Sequence, residues 1–216
     1  FVALKSVGAE LVPLTATVLA DLARRLGGRT LGLFTSLRRM NQVAELLSDE
    51  LRGEGFEILA PRRDQDDPAA LVERFCRAEG GAVLLGARRF WQGLDIPGPD
   101  LQAVVIEKLP FEVPTELRRR REDRIKDEGG NAFRRFTLGK MLLHLKQMTG
   151  RLIRSEDDRG LVVLVEGRTD RGYFRQLSRA LPPGIQVQVA RPEGLASYLE
   201  EIGIGGTGED NPGDAS

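Results

Sequence analysis

One amide and two guanidinium groups are spaced for a common helical face in the segment QMTGRLIRSEDDRG, residues 147–160. With about 3.6 residues per turn, Gln147, Arg151 and Arg154 fall on one side of a helix. The other side is apolar and carries Leu138, Met141, Leu142, Leu145 and Leu152. Guanidinium is a permanently charged fork that binds phosphate oxygens in pairs. The pattern fits a phosphate-binding face or a solvated basic face, and Gly150, which costs about 1 kcal/mol inside a helix, favours the close approach of another group.

A second group of residues follows the apolar run that ends at Gly86. It combines charged, aromatic and turn residues: Arg88, Arg89, Trp91, Gly93 and Asp95. In open α/β sheets ligands bind beyond the carboxyl ends of the strands, so we expect this group to line such a crevice. The arginines supply positive charge, and a base stacked on Trp91 contributes about 1–3 kcal/mol. The alternative is an ordinary surface loop without a binding role, in which Trp91 packs in the core.

A third group follows the apolar run TLGLF, residues 30–34. Thr35 and Ser36 come directly after it, and Arg38 and Arg39 open the next amphipathic segment. Hydroxyl and guanidinium groups at the start of a helix donate readily to backbone phosphates of nucleic acid. We therefore expect Thr35 and Ser36, together with Arg38 and Arg39, to donate to backbone phosphates of nucleic acid, with helix capping as the alternative role of Ser36.

The elements that position these groups alternate between short β-rich runs and amphipathic segments, which predicts a parallel sheet covered by helices. The predicted strands are residues 30–36, 56–60, 81–87, 101–108, 160–166 and 185–190. The predicted helices are residues 15–26, 38–53, 68–79, 115–128, 137–154, 171–180 and 193–202.

Composition narrows the possible partners. The chain has 32 basic and 32 acidic residues, so attraction to nucleic acid must come from local clustering of charge. Cys76 is the only cysteine, which excludes an internal disulfide and a multi-cysteine metal site, and we predict no metal ligands. No apolar run approaches the roughly 20 residues of a membrane span, and the N-terminus lacks a signal-peptide pattern. These features predict a cytoplasmic protein without membrane contact, and a start at Phe1 suggests a piece of a longer chain.

Five blocks resemble, in order, the second RecA-like domain of superfamily 2 helicases of the DinG/XPD group. They are LFTS (33–36), FWQGLDIPG (90–98), KLPF (108–111), GGNAFRRFTL (129–138) and LKQMTGRLIRSEDDRG (145–160). The last block contains the Gln-x-x-Gly-Arg-x-x-Arg pattern of helicase motif VI, and the resemblance covers residues 29 to 182. It implies an α/β fold of the RecA-like, P-loop NTPase-like kind. In this fold a mostly parallel sheet carries helices on both faces, in three layers, α/β/α.

The resemblance also implies roles for the three groups of residues. In such helicases ATP with Mg²⁺ lies between two RecA-like domains and is held mainly by the first. Arg151 and Arg154 resemble the arginine fingers that reach its γ-phosphate, and Gln147 resembles the amide that senses this phosphate. The other nucleotide-associated positions are Asp95, Gly93 and Gly150. The remaining implied partner is single-stranded DNA, tracked from 5′ to 3′ past Thr35, Ser36, Arg38, Arg88, Arg89 and Trp91.

Two departures from a complete helicase are visible. The only Gly-Lys pair, Gly139-Lys140, is followed by Met141, so the chain lacks a Walker A phosphate loop and is expected to be inactive without a first domain. Gln92 stands where the family usually has glutamate in motif V. An iron–sulfur cluster, present in many family members, is expected only in another part of the parent protein.

We therefore interpret residues 1–28 as a connecting segment with a helix from a preceding domain, residues 29–203 as the second RecA-like domain, and residues 204–216 as a disordered tail. The predicted function is the C-terminal motor domain of an ATP-dependent DNA helicase. The alternative is a non-catalytic RecA-like module that binds nucleic acid or regulates another protein.

Overall fold

A computed structural model describes residues 1–5, 10–62, 66–91, 96, 100–112, 115–150, 152, 160–183 and 185–204. Its centre is a seven-stranded sheet in which every neighbouring pair of strands is parallel. The strands are β1 (Val2–Leu4), β2 (Thr30–Leu33), β3 (Glu57–Leu59), β4 (Ala82–Gly86), β5 (Ala103–Lys108), β6 (Leu161–Glu166) and β7 (Gln188–Ala190). Their spatial order is β3-β4-β2-β5-β6-β1-β7. The carboxyl ends of all these strands therefore lie along one edge, called here the carboxyl edge.

Helices connect the strands. The α-helices are α1 (Leu11–Leu26), α2 (Leu37–Glu50), α3 (Pro68–Arg77), α4 (Glu116–Asp127), α5 (Leu138–Thr149) and α6 (Leu195–Glu201). A π-helical turn, Phe133–Thr137, leads into α5, and 3-10 turns form Arg88–Trp91, Phe174–Ala180 and Pro192–Gly194. In the described part of the chain no helix is both long enough and apolar enough to cross a membrane.

The core consists of two apolar layers, one on each face of the sheet. Strand β5 shows the alternation that produces them, because successive strand side chains point to opposite faces. Val104 and Ile106 belong to the layer that contains α3 and α5 residues, among them Phe75 and Leu145. Val105 belongs to the other layer, formed by α1, α2 and α6: Leu19, Leu22, Met40, Val43 and Leu199. The predicted three-layer α/β/α class is confirmed.

The N-terminal segment differs from its prediction. Val2–Leu4 is not part of a connecting segment, because it forms β1, which pairs with β6 and with β7 inside the sheet. Helix α1 packs its buried side chains, including Leu19 and Leu22, into the same core. The run VAL at residues 2–4 is only three residues long. Such a short run has too little periodicity to be recognised as a strand.

Smaller differences concern element ends. The predicted helix 137–154 ends at Thr149, and the predicted helix 171–180 is a 3-10 segment over Phe174–Ala180. Of the predicted tail, only Ile204 is described, and its N–H donates to the Leu199 carbonyl at 2.7 Å. Residues 205–216 lie outside the described residues.

Candidate functional site

The loop that follows β2 is fixed from two neighbouring segments. The Phe34 N–H donates to the carbonyl of Gly86 at the end of β4, at 2.9 Å. The indole N–H of Trp91 donates to the Phe34 carbonyl at 3.2 Å. Ser36 is the N-cap of α2, and its hydroxyl accepts the Arg39 N–H at 3.5 Å. The capping alternative for Ser36 is therefore what the structure shows.

A buried carboxylate lies beside this loop. Glu107, the last residue but one of β5, is 0% exposed. The Arg39 guanidinium forms an ion pair with it through Nε and donates through Nη2 at 3.3 Å. Arg39 Nη2 also donates to the Thr35 hydroxyl at 2.7 Å, and Thr35 in turn donates to Glu107 through its hydroxyl and its N–H, both at 3.4 Å. The Thr35 hydroxyl is thus used inside the protein, which differs from the expected outward donor to phosphate.

Three arginines of the predicted nucleic-acid surface are exposed at the carboxyl edge. Arg38 makes no ion pair with any described residue. Arg88 pairs with Glu112 at 2.9 Å and lies over the Trp91 ring at 5.9 Å from its centroid. Arg89 donates to the Asp66 carbonyl at 3.1 Å. The surface keeps positive charge, part of which is neutralised by Glu112.

Trp91 itself is a core residue. Its side chain is 5% exposed and packs in the layer below α5, and its ring centroid lies 5.6 Å from that of His144. A ring buried to this degree offers no open face to a base. The core-packing alternative therefore replaces the expected stacking role, and Trp91 instead joins the end of β4 to the loop after β2.

Glu112 joins the segment after β4 to helix α5. Its carboxylate lies 2.9 Å from Arg88, 3.2 Å from Lys140 Nζ and 3.9 Å from His144 Nε2. Burial alone raises the pKa of the Glu112 carboxyl, but the hydrogen bond and charge of Lys140, then the charge of Arg88, outweigh burial and hold the pKa below its ordinary value. His144 Nδ1 is buried and has no hydrogen-bond partner among the described residues.

The end of α5 lies far from the carboxyl edge. Lys140, near the start of α5, contacts Glu112, which follows β5, so α5 begins at the carboxyl edge and runs back towards the start of β6. Gln147, half-buried, and Gly150, the C-cap, therefore lie near the opposite edge. The Gly150 N–H donates to the Lys146 carbonyl at 2.9 Å, and a Cβ at Gly150 would stand 3.0 Å from the same oxygen. The structure thus separates Gln147 and Gly150 from the predicted nucleic-acid residues.

Four predicted site residues lie outside the described residues: Gly93, Asp95, Arg151 and Arg154. Two residues that the structure brings to the carboxyl edge, Glu107 and Glu112, were absent from the predicted site. A sequence signal exists for Glu107, because a carboxylate at the end of the apolar run AVVI (103–106) must enter a buried strand end and find a partner there. No group of three or more His, Cys, Asp or Glu side chains in the described part of the chain could hold a metal ion.

The sequence matches a protein-family model described as the helicase C-terminal domain, over residues 19–184. "ATP-dependent helicase DinG" of Mycobacterium tuberculosis is 36% identical over 169 residues, which is 77% of this chain and 24% of the relative. "3'-5' exonuclease DinG" of Bacillus subtilis is 31% identical over 175 residues, 80% of this chain and 19% of the relative. The chain therefore spans about a quarter or less of the length of these curated relatives.

Solved structures share the fold. S. tokodaii Xpd4 superposes with a TM-score of 0.60 at 18% identity, over 88% of this chain and 38% of that one. The C-terminal domain of the DEAD-box protein Dbp5 superposes with a TM-score of 0.59 at 14% identity, over 94% of both chains. At such identities the likeness concerns the fold, which is RecA-like. Because the family model matches well over half of its length, the chain belongs to the helicase C-terminal domain family.

Proposed function

We propose that this chain is the second motor domain of an ATP-dependent DNA helicase, and that it closes over ATP and Mg²⁺ held by a first RecA-like domain. The observation that carries the proposal is the family match over residues 19–184, which includes the whole of Gln147 to Arg154. Similar curated proteins include ones named ATP-dependent helicases. In this proposal Arg151 and Arg154 are the arginine fingers and Gln147 senses the γ-phosphate.

The anchoring of α5 supports this assignment. Met141, Leu145 and Met148 are buried along one side of the helix, so its end is held against the sheet. Leu152, between the two arginines, is buried as well, and its side chain packs where a Cβ of Gly160 would lie. Because the residues before the two arginines and the residue between them are packed in the core, less conformational entropy is lost when the guanidinium groups bind a phosphate. An arginine finger accelerates hydrolysis by about 10³- to 10⁵-fold, so even a small displacement of either arginine should lower the ATPase rate measurably.

The exposed residues of the carboxyl edge support a second role, contact with the single strand. Arg38 lies after β2, and Arg88 and Arg89 lie after β4, the neighbouring strand of the sheet. We propose that they track the DNA backbone, that Asp95 links nucleotide state to the DNA-binding loop, and that Gly93 gives the backbone room there. Such contacts give weak, salt-sensitive binding.

The test is the DNA-stimulated ATPase of the full-length parent carrying Arg151→Ala or Arg154→Ala. We expect turnover to fall by at least about 10³-fold in each variant. Arg151→Lys and Arg154→Lys should rescue little, because lysine lacks the planar fork. The matched control is Arg52→Ala, which removes an exposed arginine after α2 that pairs only with Asp49 among described residues. Normal turnover in both alanine variants would contradict the proposal and favour a non-catalytic module.

A further inference from the structure

The Glu107–Arg39 pair is a costly feature that neither proposed role uses. Glu107 is fully buried, and an ionised carboxylate is tolerated there only with a partner. A buried ion pair is weak support for stability, because apolar side chains of similar volume often replace such pairs without loss. The pair therefore calls for a reason other than folding.

The geometry of Arg39 indicates that reason. Its Nε and Nη2 atoms face inward to Glu107 and Thr35. Its Nη1 atom makes no hydrogen bond with a described residue, and its side chain remains 32% exposed. One edge of the guanidinium is fixed, while the two N–H groups of Nη1 remain for another acceptor. This is how a preorganised anion-binding arginine is built, because its rotamer entropy is lost on folding and not on binding.

The surroundings of Arg39 are equally fixed. It lies in the first turn of α2, whose N-cap is Ser36. The loop before it is held to β4 and to Trp91 through Phe34. Arg38, exposed and without an ion pair to any described residue, lies next to it. A fixed guanidinium at Arg39 beside a second cation at Arg38 suits a ligand with successive single negative charges, and a phosphodiester backbone is such a ligand.

We propose that Arg39 binds a backbone phosphate of the single strand and that Glu107 is the positioning residue that holds it for this contact. The proposal rests on the proposed function and deepens it, because it names a phosphate contact and its support at the carboxyl edge.

The experiment measures binding of a fluorescent oligo-dT strand to the full-length parent, by anisotropy without nucleotide, over a series of salt concentrations. The main variant is the double substitution Arg39→Met with Glu107→Gln, which removes the cation without leaving a buried unpaired charge. The control is Arg24→Met with Glu54→Gln. Arg24 forms a fork with Glu54, at 3.0 and 2.8 Å, and is 40% exposed. It lies at the end of α1, on the edge opposite to Arg39.

We expect the double variant to bind roughly tenfold more weakly at 0.1 M salt. Its plot of log affinity against log salt should lose about 0.7 of slope, the value of one phosphate contact on a single strand. Glu107→Gln alone should keep the slope, because the Arg39 charge remains, and bind roughly threefold more weakly, because the fork is no longer fixed. A purely structural pair would change the melting temperature and leave the slope unchanged.

Several results would overturn the proposal. The Arg39 contact is refuted if the double variant keeps the slope of the unmodified protein, or if the Arg24 control loses as much. The positioning role is refuted if Glu107→Gln binds as tightly as the unmodified protein while the double variant does not. Should the double variant fail to fold, Arg39→Lys replaces it, with the slope expected to stay and the affinity to fall. A parent that does not bind the strand at all, or normal ATPase in both the Arg151 and Arg154 variants, would instead refute the proposed function.

Discussion

Trp91 offers the sharpest test of how the carboxyl edge is built. Its ring is 5% exposed, so truncation to alanine removes nearly a whole buried indole. Large-to-small changes of this size cost about 3–5 kcal/mol in cores. Truncation also leaves the Phe34 carbonyl, which accepts the indole N–H at 3.2 Å, without that donor. With a urea m-value of about 2–3 kcal/mol per M, the unfolding midpoint should fall by about 1.5 M.

Two further variants separate packing from hydrogen bonding. Trp91→Phe keeps much of the apolar volume but loses the N–H donor, which should cost about 1–2 kcal/mol, or about 0.5 M in midpoint. Leu143→Ala on α5 is the control, because Leu143 is 54% exposed and should change the midpoint little.

Urea unfolding should be followed by circular dichroism, since Trp91 is the only tryptophan and its variants lose the fluorescence signal. A Trp91→Ala midpoint within error of the Leu143 control would refute the packing account. A loss of single-strand affinity without any loss of stability would restore the stacking role.

Three other predictions concern stability and reactivity. Gly28 has φ +88°, and a Cβ there would stand 2.3 Å from the Ala82 nitrogen, so Gly28→Ala should lower the free energy of unfolding by at least about 1–2 kcal/mol. Gly139→Ala is the control, because Gly139 has open space around it and the change should be neutral or stabilising. Equal urea midpoints for the two variants would contradict this prediction. Because the pKa of the Glu112 carboxyl is depressed, the contribution of its ion pairs to stability is complete at neutral pH and is lost as the pH falls below the ordinary glutamate pKa of about 4.3. The unmodified protein should therefore be more stable than Glu112→Gln by about 1 kcal/mol at pH 7, and this difference should vanish by about pH 3. A difference that persists at that pH would refute the ion pairs. Burial, and after it the Asp100 carboxylate, raises the pKa of the Cys76 thiol. Iodoacetamide should therefore alkylate Cys76 at pH 7.5 more slowly than it alkylates free cysteine, whose pKa is about 8.5. Faster alkylation of Cys76 would contradict this.

The sheet was predictable because its strands are strongly patterned. Runs such as Leu161–Glu166 are buried throughout and flanked by turn residues, so period and length identify them. Val2–Leu4 was missed because three apolar residues carry no period, and its place between β6 and β7 is decided by long-range pairing. The length of α5 was overestimated because the apolar spacing continues through Leu152 although the helix ends at Thr149.

The exposure of the candidate arginines was predictable from residue type, whereas their partners were not. Arg38 and Arg88 are exposed at the carboxyl edge as expected, since charged side chains after a buried strand must reach solvent. Trp91 could not be assigned from sequence, because an aromatic side chain in a loop serves core packing and base stacking equally well. The pairing of Glu107 with Arg39 joins positions 68 residues apart. Only the order of β2 beside β5 brings them together.

We propose that Arg151 and Arg154 reach a triphosphate held by a partner domain. A structure of the full-length parent with single-stranded DNA and ADP–beryllium fluoride measures this directly. The account predicts guanidinium nitrogens of both arginines within about 2.7–2.9 Å of the fluoride or β-phosphate acceptors. Both side chains turned into ion pairs within this domain, with other residues on the beryllium fluoride, would contradict it.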